Sequence, residues 1–354
     1  MIDQGIPLNL SAPQHGPRPL PLFLELLRSE TATSPERRRA ALAGLAAYQT
    51  AVREPHAAPV AEAARAGRAR LIDYGGTGPT VVFIPSLINP PFVLDLAPAN
   101  SLLRWIAAQG QRVLLVDWGT PTPGDRDQDV TAHVEQLLLP MLRTLPQPPT
   151  LVGYCIGGTI ALAAAVALPV RGVALLAAPW RFAGFGDDAR ADIADLWRVS
   201  QPACERIGLV PVEVLQSGFW RLDPARTVAK FEALATADAD QLANFVRLED
   251  WANAGAPLTL AAGRQLFERF FAADDPGAGG WAVAGHAVDP AALTCPVVDF
   301  VSLTDRIVPA ASSAGFADRR EVDAGHVGMV VGGRARALLW EPLAHWLSAL
   351  PGTR

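Results

Sequence analysis

The chain has 354 residues, half of them hydrophobic and 18% charged, with a formal net charge of −5 at pH 7. That is enough apolar chain for one large domain with an insertion, or for two domains, and the acidic balance argues against a nucleic-acid footprint. Three cysteines do not make a disulfide framework, so a reducing compartment is expected.

Residues 1–20 are rich in proline and read as extended. The opening, MIDQGIPLNL, lacks a basic region followed by an apolar core, so no signal peptide is expected. From about Leu20 to Arg68 the sequence turns helical. Apolar residues recur at three and four residue spacing, and Ser34-Pro35 is a good helix start. ARLIDYG then reads as a strand and GGTG as a turn.

The β-branched run 79–87 suits a buried parallel strand. Residues 101–110 are amphipathic and end in glycine, as a helix does. Another buried strand follows at 112–119, then the helical DVTAHVEQLLLPMLRTL. TLVGYC (150–155) is a strand running into a cysteine, GGTIALAAAVAL is the helix after it, and 170–179 is the next strand. The longest apolar run, 160–170, is too short to span a bilayer and is broken by Pro169. A soluble, cytoplasmic protein is expected.

Strand and helix alternate up to 179, which predicts an α/β fold with a largely parallel sheet. Residues 180–291 are helix-like and aromatic, with no obvious buried strand. The strand pattern returns at CPVVDFVSLTD (295–305), and REVDAGHVGMVVG with a last helix ends the chain. The organisation expected is an N-terminal helical extension (1–68), a core in two parts (69–179 and 292–354) and a helical cap insertion (180–291).

The pentapeptide Gly153-Tyr154-Cys155-Ile156-Gly157 fits G-x-nucleophile-x-G, with a strand before it and a helix after it. Such a turn projects its central side chain above the sheet, and the flanking glycines let strand and helix approach. A small apolar cysteine in a glycine-rich turn is the bland alternative. The partners favour function, because the α/β-hydrolase order is nucleophile, acid, histidine. Asp305 follows a predicted strand, and His326 lies between a short strand and the last helix.

The other histidines (His15, His56, His133, His286, His345) read as surface or packing residues. Asp323 reads as a turn residue, Asp117 as a loop stabiliser, and Cys204 and Cys295 lack flanking glycines. In the triad, His326 takes the thiol proton and Asp305 orients the imidazole. The backbone N–H of Ile156 supplies one oxyanion donor. The loop after the 79–87 strand supplies the other, with Leu87 preferred and Ile88 second. Attack by a thiol on a thioester is nearly balanced and keeps the acyl group activated for a later alcohol, so cysteine favours acyl transfer over hydrolysis.

With these segments in place, the sequence resembles the polyhydroxyalkanoate synthases, of the short kind that works with a second subunit. The likeness is carried by PSLINPPFVLDLAPANSLLRWIAAQGQRVLLVDWGTPT, by GYCIGGT, by LEDWANAGAPLTLAAGRQLFERFFAADD, and by LTCPVVDFVSLTDRIVPAASS with GHVGMVVG. It implies an α/β-hydrolase fold and (R)-3-hydroxyacyl-CoA substrates. It also implies that Cys155 carries the growing polyester, that His326 activates it, and that Asp305 helps to activate the incoming hydroxyl. No cofactor or metal is implied. A homodimer, a helical second subunit and a polyester granule surface are the implied partners, with no nucleic acid and no transmembrane segment. A cysteine-triad hydrolase (a thioesterase or an intracellular depolymerase) is the alternative activity. A polyester-binding protein without turnover is a third reading, disfavoured by the intact triad.

Overall fold

The structure is a computed structural model that describes residues 16–53 and 61–351. Most of the segment expected to be extended, with His15 and His56, lies outside the described residues. The chain divides into two compact units: the N-terminal residues to 55 with 223–253, and residues 56–222 with 254–354.

The first unit is helical. Ser34 caps the helix Pro35–Thr50, its side chain accepting from Arg37 N at 3.3 Å with proline at the first turn, as the Ser-Pro step predicts. Inside it Phe23, Tyr48 and Phe245 pack edge-on around Phe231 at 4.7, 6.0 and 5.2 Å between centroids. The Tyr48 hydroxyl donates to Asp250 at 2.7 Å. A Cβ at Gly44 would meet the Phe231 carbonyl oxygen at 1.9 Å, so this glycine sets how closely the two helices approach.

The second unit is built on an eight-stranded sheet. Its strands are β1 (Glu62–Ala66), β2 (Ala69–Asp73), β3 (Thr80–Ile84), β4 (Arg112–Asp117), β5 (Thr150–Tyr154), β6 (Gly172–Leu176), β7 (Val297–Ser302) and β8 (Arg319–Val322). Their spatial order is β1-β2-β4-β3-β5-β6-β7-β8. β1 and β2 are antiparallel to their neighbours, and β3 to β8 are mutually parallel. Every residue of β5 and β6 is buried. Strands covered on both faces read in sequence as unbroken apolar runs, which is why these were visible there. The helix Ile156–Ala167 is buried along its first nine residues, Ile156 to Ala164, as an all-apolar helix must be.

Two expectations change. Residues 62–66 were read as helix and form the edge strand β1, which pairs with β2 across the two-residue turn Gly67-Arg68. EAARA favours helix intrinsically. Gly67, at φ +54°, closes a tight hairpin, and pairing with the sheet overrides the local preference. Residues 180–291, read as one helical insertion, contribute to both units and hold four two-residue strands. Leu209–Val210 pairs with Leu258–Thr259, and Ala282–Val283 with His286–Ala287. Two residues carry no period, so no pattern announces them.

The aromatics of this segment are packed inward. None of Trp180, Phe182, Phe185, Phe219, Trp220, Trp251, Phe267, Phe270 and Phe271 is exposed. They satisfy one another instead: Phe182 lies 5.8, 5.4 and 5.0 Å from Phe185, Phe270 and Phe271. The exposed large apolar side chains are Leu20, Leu24, Leu42 and Val52 in one unit and Val199, Ile207 and Leu303 in the other. Among the described residues no helix is long and apolar enough to cross a membrane.

Asp299 is buried in the middle of β7. It accepts from Ser313 Oγ at 2.7 Å, and its Oδ1 has no protein partner. Burial pushes its pKa up to about 6 from 3.8. The folded protein therefore bears the cost of a buried charge above pH 6, and none below the unfolded value. Asp299→Asn is expected to stabilise by about 2 kcal/mol at alkaline pH and to lose that gain below pH 4. Urea unfolding at the two pH values checks this, and an equal effect at both would contradict it.

Candidate active site

Cys155 sits between β5 and the helix Ile156–Ala167 at φ 56°, ψ −133°. A side chain with a Cβ rarely adopts positive φ, and holding one there costs about 1–3 kcal/mol. Two backbone bonds flank the strained residue: Cys155 N donates to Leu176 O at 3.0 Å, and Gly158 N donates to Cys155 O at 2.8 Å. The crossing needs glycine. A Cβ at Gly157 would meet the Ile84 carbonyl oxygen at 2.1 Å, and one at Gly158 would meet Ala178 Cβ at 2.3 Å. The first of these contacts brings the end of β3 against the nucleophile turn.

Asp305 and His326 come from the loops after β7 and β8. His326 Nδ1–H donates to Asp305 Oδ2 at 2.6 Å. Both side chains are buried, the carboxylate completely. Asp305 Oδ1 accepts from Ile307 N at 2.7 Å and Val308 N at 2.9 Å, which fixes the acid before it meets the histidine. Burial alone would lower the His326 pKa. The charges of Cys155 and Asp305, and hydrogen bonds to both, outweigh it and raise the pKa to about 10. With Nδ1 taken by Asp305, Nε2 is the ring nitrogen left to interact with Cys155. The three residues picked from sequence order are thus brought together from positions 155, 305 and 326.

Tyr154 is a site residue that sequence reasoning missed. Its ring stacks on His326, centroids 5.0 Å apart, and its buried hydroxyl donates to His326 O at 3.2 Å. It occupies the unspecified position of the G-x-C-x-G pattern, and no spacing rule marks it. On the other side, Ile88 N donates to Ser86 Oγ at 3.1 Å and is engaged. Among the described residues the N–H groups of Leu87 and Ile156 meet no protein acceptor, and Trp118 Nε1–H, donating to Pro85 O at 3.2 Å, braces the loop that carries Leu87. This geometry favours Leu87 over Ile88 as the second oxyanion donor.

The residues set aside stay apart from the triad. Asp117 accepts from Gly119 N at 3.0 Å and pairs with Arg70. Asp323 pairs with Arg334, Cys204 is buried, and His286 and His345 are exposed. His133 is a buried packing residue. Among the described residues no group of three or more His, Cys, Asp or Glu is placed to hold a metal ion.

The model of the Alpha/beta hydrolase family matches residues 81–338. The chain is 28% identical over 291 residues to a poly(3-hydroxyalkanoate) polymerase subunit PhaC of Haloferax mediterranei, covering 76% of this chain and 58% of that protein. It is 27% identical over 295 residues to the subunit of the same name from Synechocystis, covering 76% of this chain and 77% of that one. In fold it is similar to VinJ, with a TM-score of 0.50, 16% identity, and coverage of 83% of this chain and 100% of that one.

Two outcomes are expected. Gly157→Ala has no room for its methyl against the β3 carbonyl and should destabilise the protein by about 3 kcal/mol, the upper end for overpacking. A melting temperature unchanged from the parent would contradict the close crossing. His326 should keep its second proton at pH 8 and lose it as the pH passes about 10. Cys155→Ala removes the largest of the raising causes, so the titration should move to lower pH in that variant. Nitrogen-15 NMR of the imidazole reads both, and identical titrations with and without the thiol would refute the pairing.

Proposed function

The chain belongs to the alpha/beta hydrolase family, and on that premise we propose that it is an acyltransferase that polymerises (R)-3-hydroxyacyl-CoA through an acyl group on Cys155, releasing CoA. The observation that carries this reading is a cysteine, not a serine, at the strained turn, paired with the His326–Asp305 couple at 2.6 Å. The polymerase names of the two relatives support the same substrate class.

The residues divide the work as follows. The Cys155 thiolate attacks the thioester carbonyl carbon, and the oxygen that becomes negative is met by the N–H groups of Ile156 and Leu87. The carbon–sulfur bond to CoA breaks, and His326 gives its proton to the departing thiolate. Acylation removes the charge on Cys155, which was the main influence holding that proton in place. The neutral imidazole left behind is then free to accept the hydroxyl proton of the next 3-hydroxyacyl unit. That oxygen attacks the acyl-cysteine, an ester forms and the thiolate returns. Asp305, fixed by two backbone N–H groups, keeps Nδ1 protonated throughout.

Transfer requires that water be kept from the acyl-cysteine. We assign that cover to residues 180–222 and 254–291 of the second unit. Their start is tied to the loop following Asp305: Trp180 N and Arg181 N donate to Ser312 O at 2.7 and 2.9 Å. Phe182 N is held by Asp274 Oδ1 at 2.6 Å. A second chain in the working assembly is part of the proposal, since both relatives are named as polymerase subunits.

With 3-hydroxybutyryl-CoA, released CoA is expected to be matched by ester-linked oligomer, and the acyl group to be found on Cys155 by peptide mass spectrometry. Cys155→Ala should abolish both. Free 3-hydroxybutyrate accounting for nearly all of the CoA, with any second subunit supplied, would make the protein a hydrolase. Label on Cys204 or Cys295 alone would remove Cys155 from its role.

A further inference from the structure

The β1–β2 hairpin does more than close the edge of the sheet. Its tip lies beside the C-terminal end of β4, because Arg70 pairs with Asp117 in antiparallel register. Gly119, at φ +67°, turns so tightly there that a Cβ would meet the Arg68 carbonyl oxygen at 2.5 Å. The C-terminal ends of β3, β4 and β5 are also where Leu87, Trp118 and Cys155 emerge. A cavity of about 440 Å³ opens along this edge, lined by Arg65, Arg68 and Arg70 on one side and by Leu87 and Asn89 on the other.

Three guanidinium groups facing one cavity are costly unless something negative joins them. The local carboxylates only partly do so. Arg65 pairs with Glu62, Arg70 with Asp117, and Arg68 lies 3.3 Å from Asp125. Of those three acids only Asp117 lines the cavity. A guanidinium has five N–H donors, so one carboxylate leaves several available. Arg68 Nε and Asn89 Oδ1 are buried without a protein partner, one a donor and one an acceptor, and both residues line this cavity.

Arg68 is also rigidly held. It donates to Gln128 Oε1 and approaches His133 Nε2 at 2.7 Å. His133 Nδ1–H donates to Asp129 O at 2.6 Å, so Nε2 is the accepting nitrogen. Burial is the main cause that pushes the His133 pKa down to about 4, which keeps the ring neutral beside the arginine. A fixed, half-buried cation with a buried unpartnered Nε, flanked by two more exposed cations, is a built anion site and not a chance surface cluster.

We propose that this cavity binds the phosphate-bearing nucleotide end of the acyl-CoA, with Arg65, Arg68 and Arg70 on the phosphates and Asn89 accepting from an amide N–H of the pantetheine arm. The inference rests on the acyl-CoA reading above and names where that substrate lies. The geometry suits the arm. β5, which carries Cys155, is three strands from β2 through β3 and β4. That is ~14 Å at ~4.8 Å per strand. The phosphopantetheine arm of CoA, from sulfur to phosphorus, is about as long as four to five extended residues, roughly 15 Å. The path from Cys155 to the arginines passes Leu87, which both lines the cavity and stands as an oxyanion donor.

Calorimetry on the Cys155→Ala protein, which cannot turn substrate over, tests this with CoA, 4′-phosphopantetheine and pantetheine. CoA is expected to bind at least tenfold more tightly than pantetheine. The double variant Arg65→Gln, Arg70→Gln should cut that preference by roughly tenfold, about one charge-assisted hydrogen bond. The preference should also shrink with added salt in the protein that keeps its arginines, which guards against misfolding of the variant. Equal binding of CoA and pantetheine, or a preference untouched by both the variant and salt, overturns the proposal. Phosphopantetheine binding as tightly as CoA would overturn the nucleotide end and leave a single-phosphate site, as a carrier-protein arm would need. These outcomes are separate from the polymerase reading. A protein that prefers CoA but never acylates Cys155 would refute that reading alone, and one that polymerises without the preference would refute this one alone.

Discussion

The crossing of β5 over the start of the helix Ile156–Ala167 constrains everything else at the site. The chain must reverse within one residue, and that residue, Cys155, is held at φ 56°. Strain of this kind persists only where the surroundings over-determine it. Here they do so through the bond from Cys155 N to Leu176 O and through glycines too closely approached to carry a side chain. The same close approach holds the end of β3 and Pro85 against the nucleophile turn. One backbone event thus sets the thiol at the end of the sheet beside the end of β3.

Charge is arranged in a second layer that answers the first. An imidazolium in a buried site is favourable only if it is itself supported. Asp305, wholly buried, receives two backbone N–H bonds and gives its second oxygen to His326. Tyr154 holds the opposite side of the histidine by stacking and by its hydroxyl. Burial works against charging His326, and the two negative neighbours outweigh it. Under the proposed acyl-cysteine reading, acylation would remove the Cys155 contribution and turn the histidine from acid to base.

The edge of the sheet adds a third element. The hairpin tip at Gly67-Arg68 places cations at the same end of the sheet as the nucleophile, and His133 supports the innermost of them as a neutral acceptor. The aromatic residues are consumed in packing, as around Phe182. At this end the second unit presents arginines and Asn89 beside apolar residues such as Leu87, Ile88 and Trp118.

Much of this was legible in the chain alone. Strands covered on both faces, β3 to β6, stand out as apolar runs, and the glycine-flanked Cys155 follows one of them directly. The order of Cys155, Asp305 and His326, each at a strand end, then names the triad, because local pattern places each residue on a loop at the same edge. What the chain could not show is whatever depends on partners distant in sequence. β1 is written in helix-favouring residues, and only pairing with β2 makes it a strand. Leu87 and Ile88 differ only in that the hydroxyl of Ser86 engages one of their N–H groups. Tyr154 meets His326 across 172 positions, and the arginines face Leu87 and Asn89 only because the sheet brings the two segments side by side. Period and spacing report which face of an element is buried. Which groups then meet across that face is decided by packing, and packing has no local signature.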